Sequence, residues 1–313
     1  VGGLVGTALV HGLIGLAVVV VLWPTTSAGR RFLLRWGVPE PDDRQSAQAV
    51  RYLRDRRLLY PVLFLLTPVV AGPAARAFGF ADQSSGAVRN FAPLLVALLV
   101  AEAAAALRPV RGTRTATLAR RHWRDLVPRW AIGLLLVLGA VAALLAGAGL
   151  AAQPWADRVA ATFPADGVWR SADGTAEGTV SVQYLAEMRE PVSLVALIGV
   201  ACGLVVVLGV VRLAVRRRSL AEPPVDAAFR TRSARVAVGI GLAWTAAVVL
   251  VAGNRLDFLR GLDFTAAGAE PVPAWLEHTS TGGYLGLVTL LVGVGGWIWV
   301  ANPSRPPASR TAA

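Results

Sequence analysis

The chain has no lysine, one cysteine, one methionine and three histidines in 313 residues, and only 16% of it is charged. Ordinary soluble domains carry roughly 25% charged residues. Cys202 has no second cysteine to pair with, which excludes a disulfide within the chain. His11, His122 and His278 are scattered, at no spacing that suits zinc or iron, so neither metal nor cofactor is expected. Nucleotide-binding P-loop, HExxH and GxSxG patterns are absent as well. The recognised signatures of nucleotide-driven coupling, zinc proteolysis and serine hydrolysis are thereby missing. Arginine in place of every lysine, beside abundant Ala, Val, Leu and Gly, reads as a GC-rich coding sequence and not as chemistry.

What the chain does have is 31 arginines against 19 acids, a net charge of +12 and a pI near 11.4. In a soluble protein that balance points to phosphate backbones. Position decides otherwise. Seven apolar segments approach the roughly 20 residues that a helix needs to cross a hydrocarbon core. They run Val1 to Trp23, Leu58 to Ala77, Phe91 to Leu107, Trp130 to Ala152, Pro191 to Val211, Val236 to Gly253 and Gly282 to Val300. Seven such runs would leave a soluble protein too little polar chain to cover them.

Arginines sort by side. Residues 28–58, 108–129, 212–235 and the tail after 300 hold 24 of the 31, and the alternate loops 80–90, 153–190 and 254–281, with Arg76, hold the other seven. By the positive-inside rule the richer set is cytoplasmic. The expected fold is therefore all-α, a polytopic transmembrane helical bundle of about seven spans, N-terminus outside and C-terminus inside. Residues 1–301 form one helical domain and 302–313 a disordered cytoplasmic tail. The first segment lacks a basic lead and a small-residue cleavage site, so it reads as an uncleaved span. With no helix-turn-helix, zinc-finger or RNA-binding signature, no nucleic acid is expected as partner. Trp23, Tyr60, Trp130, Trp297 and Trp299 fall near inner boundaries, and Trp155 and Tyr284 near outer ones, the depths amphipathic rings favour. Trp244 is in mid-span and reads as packing.

Among the inner loops, Thr115 to Trp130 places Leu118, His122, Trp123 and Leu126 on one half of a helical wheel and Arg120, Arg121, Arg124 and Asp125 on the other. It suits a helix lying on anionic inner-leaflet lipids, with His122 an interfacial side chain. Pro41 to Pro61 begins with Asp42 and Asp43 and ends in arginines, matching the helix macrodipole at both ends. Val225 to Val236 is a further basic lead-in. In the outer loops, the alternating TVSVQYL after Gly and Asp-Gly signals suggests a short hairpin, and Asn254 to Thr281 has no clear periodicity. Eleven outer acids against seven arginines make a mildly acidic, solvated surface.

Ionisable groups at membrane depth are expensive and hence functional candidates. Two stand out: His11, with Thr7 and Gly15 on its helical face, and Glu102, six residues from Arg108. A proton or ligand site at His11, Thr7 and Glu102 is one reading. The favoured one is packing, with His11 hydrogen-bonded and Glu102 reaching the inner interface or Arg108. Pro61, Pro68 and Pro73 imply a distorted second span, and the rows Gly2/Gly6, Gly139/Ala143/Gly147 and Gly282/Gly286 offer close helix packing.

The portions GVPEPDD...YLRDRRLLYP, Gly37 to Pro61, and AFRTRSARVAVGIGL, Ala228 to Leu242, resemble sequences in uncharacterised multi-pass membrane proteins of high-GC Gram-positive bacteria. The resemblance implies a bacterial plasma-membrane location and brings no activity or functional residues. The expected function is that of a non-enzymatic permease-like or accessory subunit of a transport or envelope system. A membrane-embedded enzyme acting on a lipid-linked substrate and a membrane sensor are the alternatives. Besides the bilayer, a membrane or cytoplasmic protein is the partner class this implies.

Overall fold

A computed structural model describes residues 23–59, 97–104, 122–171, 177–216, 222–278 and 282–302, with single positions between 12 and 20 and between 62 and 66. His11, Thr7, Gly2, Gly6, Pro61, Pro68, Pro73, loop 80–90 and tail residues 303–313 lie outside the described residues. The first three expected spans lie largely outside them too, although residues 97–104 of the third are helical.

Two short helices come first, α1 (Thr26–Arg35) and α2 (Asp43–Arg57). Thr25 caps α1, its side chain accepting from the Ala28 amide at 3.2 Å. Asp42 and Gln45 form a reciprocal box that starts α2, the Gln45 amide donating to Asp42 Oδ1 at 2.6 Å. The helices touch at Gly29, where a Cβ would lie 2.6 Å from the Ser46 carbonyl oxygen. The expected inner loop 28–58 is thus a helical hairpin.

Four long helices follow: α4 (Arg129–Ala161), α6 (Val192–Arg216), α7 (Pro223–Arg260) and α9 (Gly282–Ala301), each long and apolar enough to cross a membrane. They answer to the last four expected spans. At 1.5 Å per residue α4 is about 50 Å and α7 about 57 Å long, well beyond a hydrocarbon core of about 30 Å. Both therefore absorb stretches expected as loops. Pro223 and Pro224 occupy the first turn of α7, where proline is tolerated, and no further proline appears until Pro271, so nothing stops the helix between. Residues 225–235 and 254–260, expected in loops, are helical for that reason.

α7 is the central pillar, with 72% of its apolar window buried against 22% to 33% for the other three. Contacts fix the directions. Gly286 approaches Leu250 and Gly296 approaches Leu242, so α9 runs antiparallel to α7. Gly199 approaches Val248 and Gly241 approaches Val207, so α6 is antiparallel too, whereas Gly241 near Leu135 and Gly149 near Leu256 make α4 parallel. Trp244 is indeed a packing residue, since its indole donates to the Gly199 carbonyl at 2.8 Å across α6.

Glycines decide how close these helices come. A Cβ on Gly203 would sit 2.5 Å from Trp244 Nε1, and one on Gly139 3.2 Å from Leu204, whereas Gly147 faces open space. Of the expected Gly139/Gly147 row, only the first is therefore a packing glycine. We expect Gly203→Ala to lower stability by about 1–3 kcal/mol through overpacking. Gly147→Ala should leave it unchanged or slightly raised, since glycine weakens a helix interior by roughly 0.5–1 kcal/mol. Thermal midpoints in detergent compare the two.

The outer-loop segments fold into a cap. Strands β1 (Val168–Arg170) and β2 (Glu177–Thr179) pair antiparallel, Trp169 opposite Gly178. The hairpin expectation holds in kind but not in place, because only Thr179 of TVSVQYL is in a strand. Ser181 caps α5 (Val182–Arg189), accepting from the Tyr184 amide at 3.1 Å, and Leu185 and Met188 face the core three residues apart. Capping and helical burial override the short alternation. Residues 254–281, which lacked periodicity, supply a 3-10 turn, Thr265–Ala267, and α8 (Ala274–Glu277). Trp155, Phe163, Leu185, Met188, Leu256, Leu259, Leu262 and Leu276 form the apolar core of the cap.

The amphipathic inner helix expected over 115–130 is overturned in its described part. His122 is the exposed N-cap residue of a four-residue helix, α3 (Trp123–Leu126), and Val127 is extended before Pro128. Proline disfavours the helical conformation in the residue before it, which separates α3 from α4.

Candidate functional site

The described candidate, Glu102, lies at the end of the bundle where α7 begins. The α1–α2 hairpin docks there through Leu33, Trp36, Val38 and Ala49 against Val225, Ala228 and Phe229 of α7. On α2, Ser46, Ala49, Leu53 and Arg56 make up the buried stripe, at the spacing of one helical face. Arg56 is consequently carried inside.

Its Nη2 meets Glu102 Oε2 at 2.6 Å and donates to Ser233 Oγ of α7 at 3.1 Å. Arg56 is 4% and Glu102 1% exposed. Ser233 donates in turn to the Phe229 carbonyl at 2.8 Å, and the Tyr52 hydroxyl lies 3.1 Å from Ser233 Oγ. The Tyr52 ring stacks on Phe229 with centroids 4.1 Å apart, and the guanidinium carbons of Arg56 and Arg232 lie over it at 4.8 and 5.6 Å. One ion pair thus ties α2, helical residues 97–104 and α7 together.

Glu102 was expected to reach the inner interface or Arg108; it is buried on Arg56, 46 positions earlier in the chain, and Arg108 lies outside the described residues. The Arg56 Nε and Nη1 atoms are buried without a hydrogen-bond partner among the described residues. Attraction at this distance is offset by the cost of taking both ions out of water. The pair therefore specifies which elements meet more than it stabilises their meeting. His11 and Thr7, the other two residues of the expected site, lie outside the described residues.

Two buried arginines of α7, Arg230 and Arg255, and the half-buried Arg235 work alike. Arg230 Nε donates to Asp226 at 2.7 Å, while its Nη1 donates to the carbonyls of Ala214 and Val215 at the end of α6, at 3.4 and 3.2 Å. Arg235 Nε donates to the Leu126 carbonyl at the end of α3, at 3.1 Å. About 37 Å from Arg230 along the helix, Arg255 donates to the carbonyls of Glu187, Met188 and Glu190 and to Gln153 Oε1. A helix C-terminus carries unsatisfied carbonyls and a partial negative charge, and a guanidinium with five donors suits both.

Sequence reading found none of these roles. Periodicity held the signal for three of them. Arg56 is three residues beyond buried Leu53, and Arg255 lies between buried Ala252 and Leu259 at helical spacing. Arg230 likewise lies four residues from buried Asp226 and Ala234, but like Arg255 and Arg235 it falls in a stretch expected as a loop.

At the cap, the exposed Arg158–Glu270 pair closes at 2.8 Å, and the Arg158 guanidinium holds the Glu270 carboxyl below its usual range. Burial raises the Tyr184 phenol, with a smaller push from Glu187. Among the described residues no group of three His, Cys, Asp or Glu side chains could hold a metal ion. Comparison with family models, with curated proteins and with solved structures returns no match.

Proposed function

We propose that the chain is a multi-pass integral protein of a bacterial plasma membrane, its arginine-rich end in the cytoplasm, acting as a non-enzymatic permease-like or accessory subunit. The observation that carries the membrane part is the bare apolar flank of the bundle. Leu144 on α4 is 73% exposed, Val205 on α6 71%, and Leu291 on α9 66%. Large apolar side chains this exposed on three long helices suit lipid better than water. The two ends of α7 differ in what packs there: the hairpin, Arg230 and Arg235 at one end and the cap at the other.

The subunit part is supported by the use of the buried charges. Arg56, Glu102, Arg230, Arg255 and the half-buried Arg235 are each engaged in joining one element to the next. One feature also favours the sensor reading: α7 is a single helix whose two ends lie in separate packed clusters, a direct mechanical link between cap and hairpin.

Cysteine labelling tests the orientation. With the exposed Cys202 first replaced by alanine, Ser171→Cys should react with a membrane-impermeant reagent in intact cells and Ser219→Cys only after permeabilisation. The reverse pattern overturns it.

A further inference from the structure

The aromatic and leucine contacts of the α1–α2 hairpin are spent on α7, leaving one face of each helix open. On α1 the exposed residues are Thr26, Ser27, Arg30, Arg31, Leu34 and Arg35, and the helix contains no acid. On α2 they include Ala47, Arg51, Arg54, Asp55 and Leu58, the last being its C-cap residue. Leu34 and Leu58 are each 45% exposed, and Trp23, three residues before α1, is 50% exposed. Large apolar groups are thus interleaved with arginines on a surface that nothing in the described protein covers.

We propose that this surface binds the phosphate headgroups of anionic phospholipids in the leaflet at that end of the bundle. The proposal rests on the membrane reading above and names the partner of its arginine-rich end. Spacing carries it. Trp23 closes the first apolar run and Leu58 opens the second. Arg54 and Arg51 precede Leu58 by about 6 and 11 Å along the helix. A headgroup layer is about 5–8 Å thick on each side of the core, and arginine side chains snorkel over the remaining distance. Guanidinium groups at that depth meet phosphate oxygens with paired donors, while Trp23 and Leu58, at the end of the hairpin where the apolar runs begin, enter the boundary of the acyl region. An acidic soluble partner would satisfy the arginines but leave those two side chains without a role. Asp55 opposes the attraction, and Asp42, Asp43 and Glu40 lie at the far end of α2 and in the turn before it.

The test is hydrogen exchange of residues 26–57 in the full chain, reconstituted in neutral phosphatidylcholine vesicles and in vesicles containing phosphatidylglycerol. Anionic vesicles should slow exchange by about fivefold per engaged arginine, equivalent to about 1 kcal/mol each, and added salt should weaken the effect. The combined variant Arg30→Gln, Arg31→Gln, Arg51→Gln and Arg54→Gln, all at exposed positions, should exchange alike in both. Equal exchange of the parent in the two vesicle types overturns the proposal. So does slowing by inorganic phosphate in detergent to the same degree, which indicates a free-anion site, or slowing only by polyglutamate, which indicates an acidic protein. Retention in the vesicles after alkaline carbonate washing is read separately. Loss at that step removes the membrane reading itself.

Discussion

Glu102→Leu should destabilise the protein by about 3–5 kcal/mol, because it leaves the Arg56 cation buried with no counter-charge. Arg56 is 4% exposed, and its only other described polar partner is the Ser233 hydroxyl, at 3.1 Å. Arg56→Met should cost a similar amount, stranding Glu102. The double variant Arg56→Met with Glu102→Leu should recover most of the loss. It replaces two desolvated ions with apolar groups of similar volume, an exchange that is often neutral or better. Thermal midpoints in detergent give the three values and the coupling between the sites. A double variant as unstable as the sum of the singles, or a Glu102→Leu variant as stable as the parent, would show that water compensates the pair and that it does not hold the hairpin.

Location of the damage is a second readout. Arg56 joins α2 to α7, so the single variants should speed hydrogen exchange in residues 43–57 before residues 129–161 are affected. Helices held by tertiary packing open when that packing is lost, and a 15-residue helix is marginal on its own.

Long apolar runs made the four long helices legible, since 20 residues of Ala, Val, Leu and Gly are of the length and composition that a membrane-crossing helix needs. Where those helices end was not legible, because membrane hydropathy and helical continuity are different properties. α7 runs through Arg230, Arg235 and Arg255, which interrupt the hydropathy without interrupting the hydrogen-bond ladder. Charge was read as a topology signal, which does not tell an exposed arginine such as Arg30 or Arg51 from a buried one. It fails for Arg56, Arg230 and Arg255, which are buried because carbonyl groups and a carboxylate elsewhere in the chain receive them. Such partners are distant in sequence. Glu102 could be recognised as costly, but nothing in its neighbourhood named Arg56. The α5 helix was hidden for another reason: Thr179, Val180, Ser181 and Val182 alternate like a strand, and only the capping geometry of Ser181 turns the chain.

The second large effect is expected at the opposite end, from Arg255→Met. Methionine keeps most of the apolar stem and removes all the donors. The carbonyls of Glu187, Met188 and Glu190, which accept from Arg255 at 2.9, 2.8 and 3.1 Å, then lose a charged partner at the C-terminus of α5. Gln153 Oε1 loses its 3.0 Å bond as well, although the Gln153 side-chain amide still donates to Met188. Hydrogen bonds to a charged group contribute roughly 1.5–3 kcal/mol each, and bonds sharing one guanidinium do not add. A net loss of about 3–5 kcal/mol from the cap is the expected outcome. Arg255→Lys should fall between, because one ammonium retains the charge opposite the helix end but not the fork that reaches four acceptors. The loss should be local. Amides of residues 177–189 should exchange faster, while the middle of α7 near Leu242, packed between α4 and α9, keeps its protection. If Arg255→Met leaves exchange in α5 unchanged, the cap is held by its apolar core of Trp155, Leu185, Met188 and Leu259 alone, and the guanidinium only fills space. If exchange rises equally throughout the bundle, the cap and the long helices form one cooperative unit, and the separation into two clusters along α7 has no energetic counterpart.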